Sequence, residues 1–364
     1  MKMKRLGILT SGGDCSGLNS VIRAAYLRAK ILGYELIGIK RGLRGLSSDN
    51  LNYVVLNDEI CNEDLLATSG SIIYSDTKWL KMMIDSGKTL ADVKNDVSQG
   101  YKKLGLDGLI CVGGDGSLSL LSELLIDNKE LNLIAVPKTI DNDVEATDFS
   151  VGFQTAVEVV TESIQNIRTT AKSHERVMVI EVMGRDAGFI AMYSGIAAGA
   201  DVILVPEFDY DIEKIKEKAR ECYSSGKNHC IIVVAEAVKS DDLNHDEEII
   251  DGIVKFSKLK YNGIGENIAG KLKKAGFDSR AVTLGHTQRG GETSIMDRVI
   301  GSAFGVEAVN LIDAGNSGRL VCYKDGKITS VLIRDVVANI GKELNKSDMC
   351  ISIAKSIGVY IGEV

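Results

Sequence analysis

The sequence predicts an α/β fold: two doubly wound α/β lobes with mainly parallel sheets and an active site in the cleft between them. Three observations carry this. Short β-branched apolar runs alternate with amphipathic stretches along most of the 364 residues, the pattern of repeated βα units. Most of these runs are continuously apolar, as strands covered on both faces must be. The runs are also too many for one small sheet, and at about 100–200 residues per domain the chain is long enough for two or three domains.

Taken in order, strands are expected at residues 6–9, 35–39, 108–112, 133–136, 177–182, 202–205, 229–235 and 280–284. Helices are expected at 17–32, 118–126, 152–171, 212–224 and 264–275. The stretch from Gly188 to Pro206 holds one charge, Asp201, and nearly reaches membrane-spanning length. Its glycine- and alanine-rich middle and β-branched end read instead as a buried helix followed by a strand. Residues 86–96 and the acidic 239–248 read as loops or loop–helix edges. The boundaries expected are 1–151 plus about 288–340 for a larger domain. A smaller domain then takes 152–287 plus about 341–364.

Composition narrows the class. With 45% hydrophobic and 26% charged residues the chain is globular in character, and a net charge of −7 provides no global basic field for nucleic acid. Seven scattered cysteines, with no CxxC pair, suit reduced thiols in a cytoplasm better than a disulfide framework or a zinc site. The apolar run after the basic opening is too short for an export signal, and no membrane span is expected.

Chemistry concentrates at strand ends. Thr10-Ser11-Gly12-Gly13-Asp14 and Gly113-Gly114-Asp115-Gly116-Ser117 each lie between a strand and a helix. Bare backbone N–H groups at a strand's carboxyl end, backed by a helix N-terminus, favour a phosphate. The plainer reading is a pair of tight βα turns. Neither run matches GxxxxGK[ST] or GxGxxG, which removes support for a Walker-type nucleotidase and for an ordinary dehydrogenase. An aspartate beside a phosphate cradle is repulsive unless a cation intervenes, so Asp115 reads as a Mg²⁺ ligand, or else as a helix cap.

Pro137-Lys138-Thr139-Ile140-Asp141-Asn142-Asp143 follows the apolar run at 133–136. One aspartate there can accept a hydroxyl proton, and an ordinary pKa of about 4 leaves it ionised at neutral pH. An Asp-Asn-Asp turn is the competing reading. Arg176, Arg185, Arg280 and Arg289 flank glycines or strand ends and suit phosphate, although any one of them is as well explained by a surface ion pair. Glu236 follows an apolar strand and suits sugar hydroxyls, its alternative being simple exposure. The four histidines show no metal-ligand spacing.

These blocks, in this order, resemble the 6-phosphofructokinase family from about Leu6 to Leu311: LGILTSGGDCSGLNSVIR, VGGDGS, VPKTIDNDV with TDFSVGFQTA after it, EVMGRDAG and LGHTQRGG. The resemblance implies that Gly13, Gly114, Asp115, Gly116 and Ser117 hold the phosphoryl donor, with Asp115 on Mg²⁺. It makes Asp141 the base for the C1 hydroxyl of fructose 6-phosphate, supported by Thr139 and Asp143, with Arg185 on the transferring phosphoryl group. Thr139, Ile140, Asp141, Arg176, Met183, Gly184, Arg185, Glu236, Arg280, His286, Thr287, Gln288 and Arg289 become substrate contacts. Arg176 and Arg280 would reach in from a neighbouring subunit of a dimer or tetramer.

Two departures from the common bacterial pattern concern the donor. Lys138 replaces a glycine, a feature shared with pyrophosphate-using members. Those members usually pair it with an aspartate at the place of Gly116, and a glycine there leaves room for a nucleotide. The resemblance therefore favours ATP, with pyrophosphate as the alternative. At Ser75-Asp76-Thr77-Lys78 the family commonly has an arginine on the donor phosphates, and Thr77 or Lys78 falls there instead. A non-catalytic phosphosugar sensor would be expected to lack one of Asp115, Asp141, Asp143 and Arg185, all of which are present.

Overall fold

Continuous apolar runs force strands into the interior, and the computed structural model builds them into two main sheets; it describes residues 3–127, 131–240, 242, 248–250, 254–256, 263–337 and 341–363. In chain order the first part comprises β1 (Arg5–Thr10), α1 (Leu18–Ile31), β2 (Glu35–Ile39), β3 (Tyr53–Val55), α2 (Trp79–Asp85), α3 (Leu90–Lys103), β4 (Gly108–Gly113), α4 (Asp115–Asp127) and β5 (Leu133–Pro137). The middle comprises α5 (Phe153–Ser173), β6 (Val177–Val182), α6 (Phe189–Ala198), β7 (Val202–Leu204), α7 (Ile212–Ser224), β8 (Cys230–Ala235), the short pair β9 (Glu248–Ile250) and β10 (Val254–Phe256), α8 (Ile264–Lys274) and β11 (Ser279–Thr283). The last part adds α9 (Ile295–Asp313), β12 (Arg319–Lys324), β13 (Lys327–Leu332), α10 (Ile333–Val337) and α11 (Met349–Ser356).

The larger sheet runs β13-β12-β5-β4-β1-β2-β3 and the smaller one β11-β6-β8-β7. All pairings are parallel except the edge pairs β2–β3 and β12–β13 in the larger sheet, and β9 with β10. Both faces of the larger sheet are covered: Leu6 and Ile8 pack with Ile110 and Val112 on one side, Leu9 with Ile37, Ile39 and Cys111 on the other. Helices α1 and α9 press together so closely that a Cβ at Gly305 would stand 2.4 Å from the Val21 carbonyl oxygen.

The expected elements are present within a residue or two, except that α4 begins at Asp115, three residues before the helix expected at 118–126. The stretch 188–206 is the buried helix and strand, α6 and β7. Among the described residues no helix is long and apolar enough to cross a membrane. The stretch 86–96 is a loop–helix edge, as expected: Thr89 and Asp92 form a reciprocal capping box from which α3 starts at Leu90. The expected loop at 239–248 lies largely outside the described residues.

The hairpin β12–β13 was not anticipated. Asp325 and Gly326 both take left-handed backbone angles, φ 50° and 76°, which a tight two-residue hairpin turn requires. Residues 341–363 return to the smaller sheet, where Tyr360 bridges to Val202.

Candidate active site

Register brings the glycine loops together. Thr10 pairs with Val112 and Gly113 with Pro137, so β1, β4 and β5 release their following loops at one edge of the larger sheet. In the smaller sheet Val182 pairs with Ala235 and Glu181 with Thr283, which gathers the loops after β6, β8 and β11. Both sets stand at strand carboxyl ends, the usual ligand edge of an open α/β sheet.

On the larger-sheet side, the Ser117 hydroxyl donates to Ser11 Oγ at 2.9 Å, tying the two glycine loops together. Gly12 has φ 83°, a turn that strains any residue with a Cβ. Asp115 and Gly116 are exposed at the start of α4, with Gly114 beside them. Asp76 caps α2 by accepting from the backbone N–H groups of Lys78 and Trp79, both at 2.7 Å, and its carbonyl accepts from Gly12 N–H. Thr77 and Lys78 are exposed beside this loop.

The turn after β5 is built around Thr139. Its hydroxyl donates to Asp141 Oδ2 at 3.2 Å and accepts from Asp141 N–H at 3.1 Å. Asn142 sits at φ 55°, and its amide locks the turn by donating to the Asp148 carbonyl and accepting from Ser150 N–H. Asp141 Oδ1 and Asp143 Oδ1 are left buried without a partner. The ordinary pKa expected for Asp141 is corrected. Burial pushes it up, opposed by the charges of Arg185, Arg289 and Lys138 and by the Thr139 bond. Asp143 is raised to about 7, by burial first and then by the charges of Asp141 and Asp115.

Lys138 is buried, and its ammonium donates to the Gly13 carbonyl. Burial lowers its pKa, and Arg289 and Arg185 add to that. The Ile140 side chain points into the core at 1% exposure, so only its backbone remains for a ligand.

From the smaller sheet, Arg185 stands in the left-handed region at φ 51° directly after Gly184 at φ 146°, and its N–H donates to Glu236 Oε1 at 3.1 Å. Glu236 is therefore not simply exposed. Burial raises its pKa to about 7, although the Arg185 N–H bond opposes that, and its role in this structure is to hold the backbone of Arg185. Gln288 is buried and accepts from Met183 N–H at 3.1 Å, whereas His286 and Thr287 are exposed. Arg289, at the end of the loop after β11, donates to the Asp14 carbonyl in the loop after β1 at 3.1 Å, lying against Gly13.

Arg176 and Arg280 lie elsewhere. They precede β6 and open β11, so Arg280 stands at a strand start and not near its end. Both grip Asp278, at 2.8 and 2.7 Å. The length of β6, about 20 Å for six residues, separates Arg176 from Arg185.

Two residues were invisible to sequence reasoning. Lys342 N–H donates to the Asp143 carbonyl at 2.8 Å, and its ammonium donates to the carbonyls of Thr147 and Asp148 while lying 4.9 Å from the centre of the Phe189 ring. Glu207 Oε1 accepts from Gly188 N–H, at the end of the Arg185 loop, and from Leu344 N–H. Segment 341–344 thus joins the Asp143 turn to the smaller lobe.

Paired glycine loops beside a buried aspartate that feels the charges of Arg185 and Arg289 fit phosphoryl transfer, and comparison with known proteins gives the family. The phosphofructokinase family model matches residues 5–312. The chain belongs to the phosphofructokinase family.

It is 42% identical over 367 residues to a protein of Nostoc sp. named ATP-dependent 6-phosphofructokinase 1, covering all of this chain and 99% of that one. A protein of Dictyoglomus thermophilum named pyrophosphate–fructose 6-phosphate 1-phosphotransferase is 39% identical over 346 residues, covering 95% and 96%. The solved phosphofructokinase of Saccharomyces cerevisiae superposes with a TM-score of 0.77 at 27% identity, over 92% of this chain and 45% of the yeast chain. The yeast phosphofructokinase and the lobes described above thus share a fold.

Proposed function

We propose that this phosphofructokinase transfers the γ-phosphoryl group of ATP to the C1 hydroxyl of fructose 6-phosphate, giving fructose 1,6-bisphosphate. One observation carries the assignment of the base: Asp141 is held by Thr139 through one carboxylate oxygen and by its own backbone, which leaves Oδ1 unpartnered. That oxygen takes the hydroxyl proton as the oxygen attacks phosphorus, and Thr139 fixes its direction. Arg185 meets the charge on the transferring group, and the backbone loops at Gly12–Gly13 and Gly114–Ser117 cradle the donor phosphates.

Mg²⁺ fits the oxygen donors present. Asp115, exposed at the head of α4, and Asp143, with its unpartnered oxygen, are the carboxylates that would hold it. Bound there, it would supply positive charge against the negative charge of the donor phosphates.

Gly116 carries the preference for ATP, since a bare backbone leaves space for a nucleotide. The bond from Lys138 to the Gly13 carbonyl also holds that cation against the loop. Pyrophosphate use is the second reading, favoured by Lys138 itself. Fructose 6-phosphate phosphorylation with Mg²⁺ and either ATP or pyrophosphate as sole donor decides between them. Turnover with pyrophosphate alone refutes the ATP reading. Asp141→Ser should cost about 10²–10⁴ in kcat with sugar binding little changed, and surviving turnover refutes the base.

We also assign residues 1–151 plus about 288–340 to the donor domain and 152–287 plus about 341–364 to the sugar-phosphate domain. The enzyme is cytoplasmic on this reading, which the seven buried free thiols support. Arg176 and Arg280, remote from their own cleft, serve a neighbour's site in a dimer or tetramer. Mixing inactive Arg176→Ala and Asp141→Ser proteins under subunit exchange should restore activity, and no restoration refutes the shared site.

A further inference from the structure

At the end of the smaller sheet away from the cleft, three donor side chains converge. Asp201 stands immediately ahead of β7, Cys222 in the last turn of α7 and Cys230 at the start of β8, and their carboxylate and thiol atoms all lie within 4.8 Å of one another. We propose that Asp201, Cys222 and Cys230 form a binding site for a divalent cation of the Zn²⁺ type, held by two sulfurs and one carboxylate oxygen.

The donor chemistry selects the ion. Paired thiolates with one oxygen suit Zn²⁺ and exclude Mg²⁺ and Ca²⁺, which take oxygen alone. With metal–sulfur bonds of about 2.3 Å, tetrahedral ligands sit about 3.8 Å apart, so donors already within 4.8 Å need small shifts. The scaffold is firm. β7 and β8 are paired neighbours, Cys230 is fully buried and Cys222 is 5% exposed. The Ile231 N–H donates to Asp201 Oδ2 at 2.9 Å, which fixes the carboxylate's orientation. Tyr223 and Ser224, directly after Cys222, line a cavity of about 640 Å³ with Glu175, Phe277 and Asp278, so solvent reaches this end of α7.

Lys227 pairs with Asp201 Oδ1 and supplies a balancing charge. With both thiols protonated, Asp201 and Lys227 cancel. With a divalent cation on two thiolates, Asp201 and Lys227, the sum is again zero. Uptake therefore exchanges one cation for two thiol protons and leaves the net charge of a buried cluster unchanged, which avoids the cost of burying an uncompensated ion. His229, whose ring Nδ1 contacts the Lys227 carbonyl, precedes Cys230 in the strand direction and so faces the other side of the sheet. The fourth position is left for water or an external ligand. The six residues of β8 place the site about 20 Å from Glu236, apart from the cleft.

The test is titration of the reduced, full-length protein with Co²⁺, followed by Zn²⁺. The expected result is one equivalent with a near-ultraviolet thiolate-to-cobalt band and visible bands of tetrahedral Co²⁺, displaced by Zn²⁺ with release of two protons per ion. Co²⁺ on the carboxylates of the cleft gives no thiolate band, which separates the two sites. Cys222→Ser should remove the band and weaken Zn²⁺ binding by more than the roughly 10–100-fold that loss of an outer-sphere partner costs. Asp201→Asn should keep the thiolate band while weakening binding, and both variants should phosphorylate sugar at the wild-type rate without added Zn²⁺. Absence of the band in wild-type protein at excess Co²⁺, or its persistence in Cys222→Ser, overturns the proposal. Recovery of a Cys222–Cys230 disulfide from Zn²⁺-supplemented protein overturns it too, and makes the pair a redox couple.

Discussion

Glu236→Gln separates charge from shape at one point of the cleft. The amide keeps an oxygen to accept from Arg185 N–H but cannot ionise. Burial is the main reason the Glu236 carboxyl titrates at about 7 and not at its ordinary 4.5. That gap, at 1.36 kcal/mol per pH unit, is an upper limit of about 3 kcal/mol opposing the folded state once Glu236 is ionised. The sign follows from a folded pKa above the unfolded one. The carboxyl is harmless below 4.5, and stability is lost as pH rises through the window from 4.5 to 7. Glu236→Gln should therefore match wild type at pH 4.5 and be more stable at pH 8. At about 2–4 °C per kcal/mol for a unit of 150–250 residues, the melting temperature at pH 8 should rise by at most about 6–12 °C. Thermal denaturation of both proteins at the two pH values measures this. An equal difference at both pH values, or a less stable variant at pH 8, refutes the account of a buried, charge-opposing carboxylate.

Four other outcomes follow from the same geometry. Because burial raises the pKa of Asp141, the acid limb of the kcat profile should lie above the ordinary aspartate range, and a limb near 3.8 in a pH–rate series contradicts it. Lys342→Met removes two charge-assisted hydrogen bonds from the turn that carries Asp143, so steady-state kinetics should show kcat down by about tenfold or more with KM for the sugar changed far less. Gly116→Asp should raise KM for ATP by about tenfold or more through crowding and repulsion at the donor, checked by initial rates at varied ATP. Gly305→Ala would ordinarily gain about 1 kcal/mol of helix propensity, but a Cβ 2.4 Å from the Val21 carbonyl oxygen forces α1 and α9 apart; denaturation should show a net loss of about 1–3 kcal/mol.

What the sequence made legible was local. Parallel strands announce themselves because burial on both faces leaves no polar alternation, and the glycine loops because a turn at positive φ, as at Gly12, favours glycine. The hairpin β12–β13 escaped because its strands carry charges at their ends, at a sheet edge where alternation is weak. The role of Glu236 was unreadable because its partner, the Arg185 N–H, lies on a neighbouring strand's loop, 51 residues away. Lys342 and Glu207 carry no local signal at all. Their meaning arises when segment 341–344 crosses from the Asp143 turn to the smaller lobe, a contact between residues about 140–200 positions apart. Lys138 was legible as an oddity, but its bond to Gly13 needed the register of β1 and β5 about β4.

The order in which the lobes are completed has a consequence for synthesis on the ribosome. β12 must pair with β5, and α9 must cover α1, before the larger sheet is closed. The smaller sheet receives Tyr360 beside Val202. Neither lobe can reach its final packing while only the first 290 or so residues have emerged, and the apolar edge of β5 stays open meanwhile. Nascent chains of this protein should therefore be chaperone clients until late in translation, and folding should complete only when both returning segments arrive.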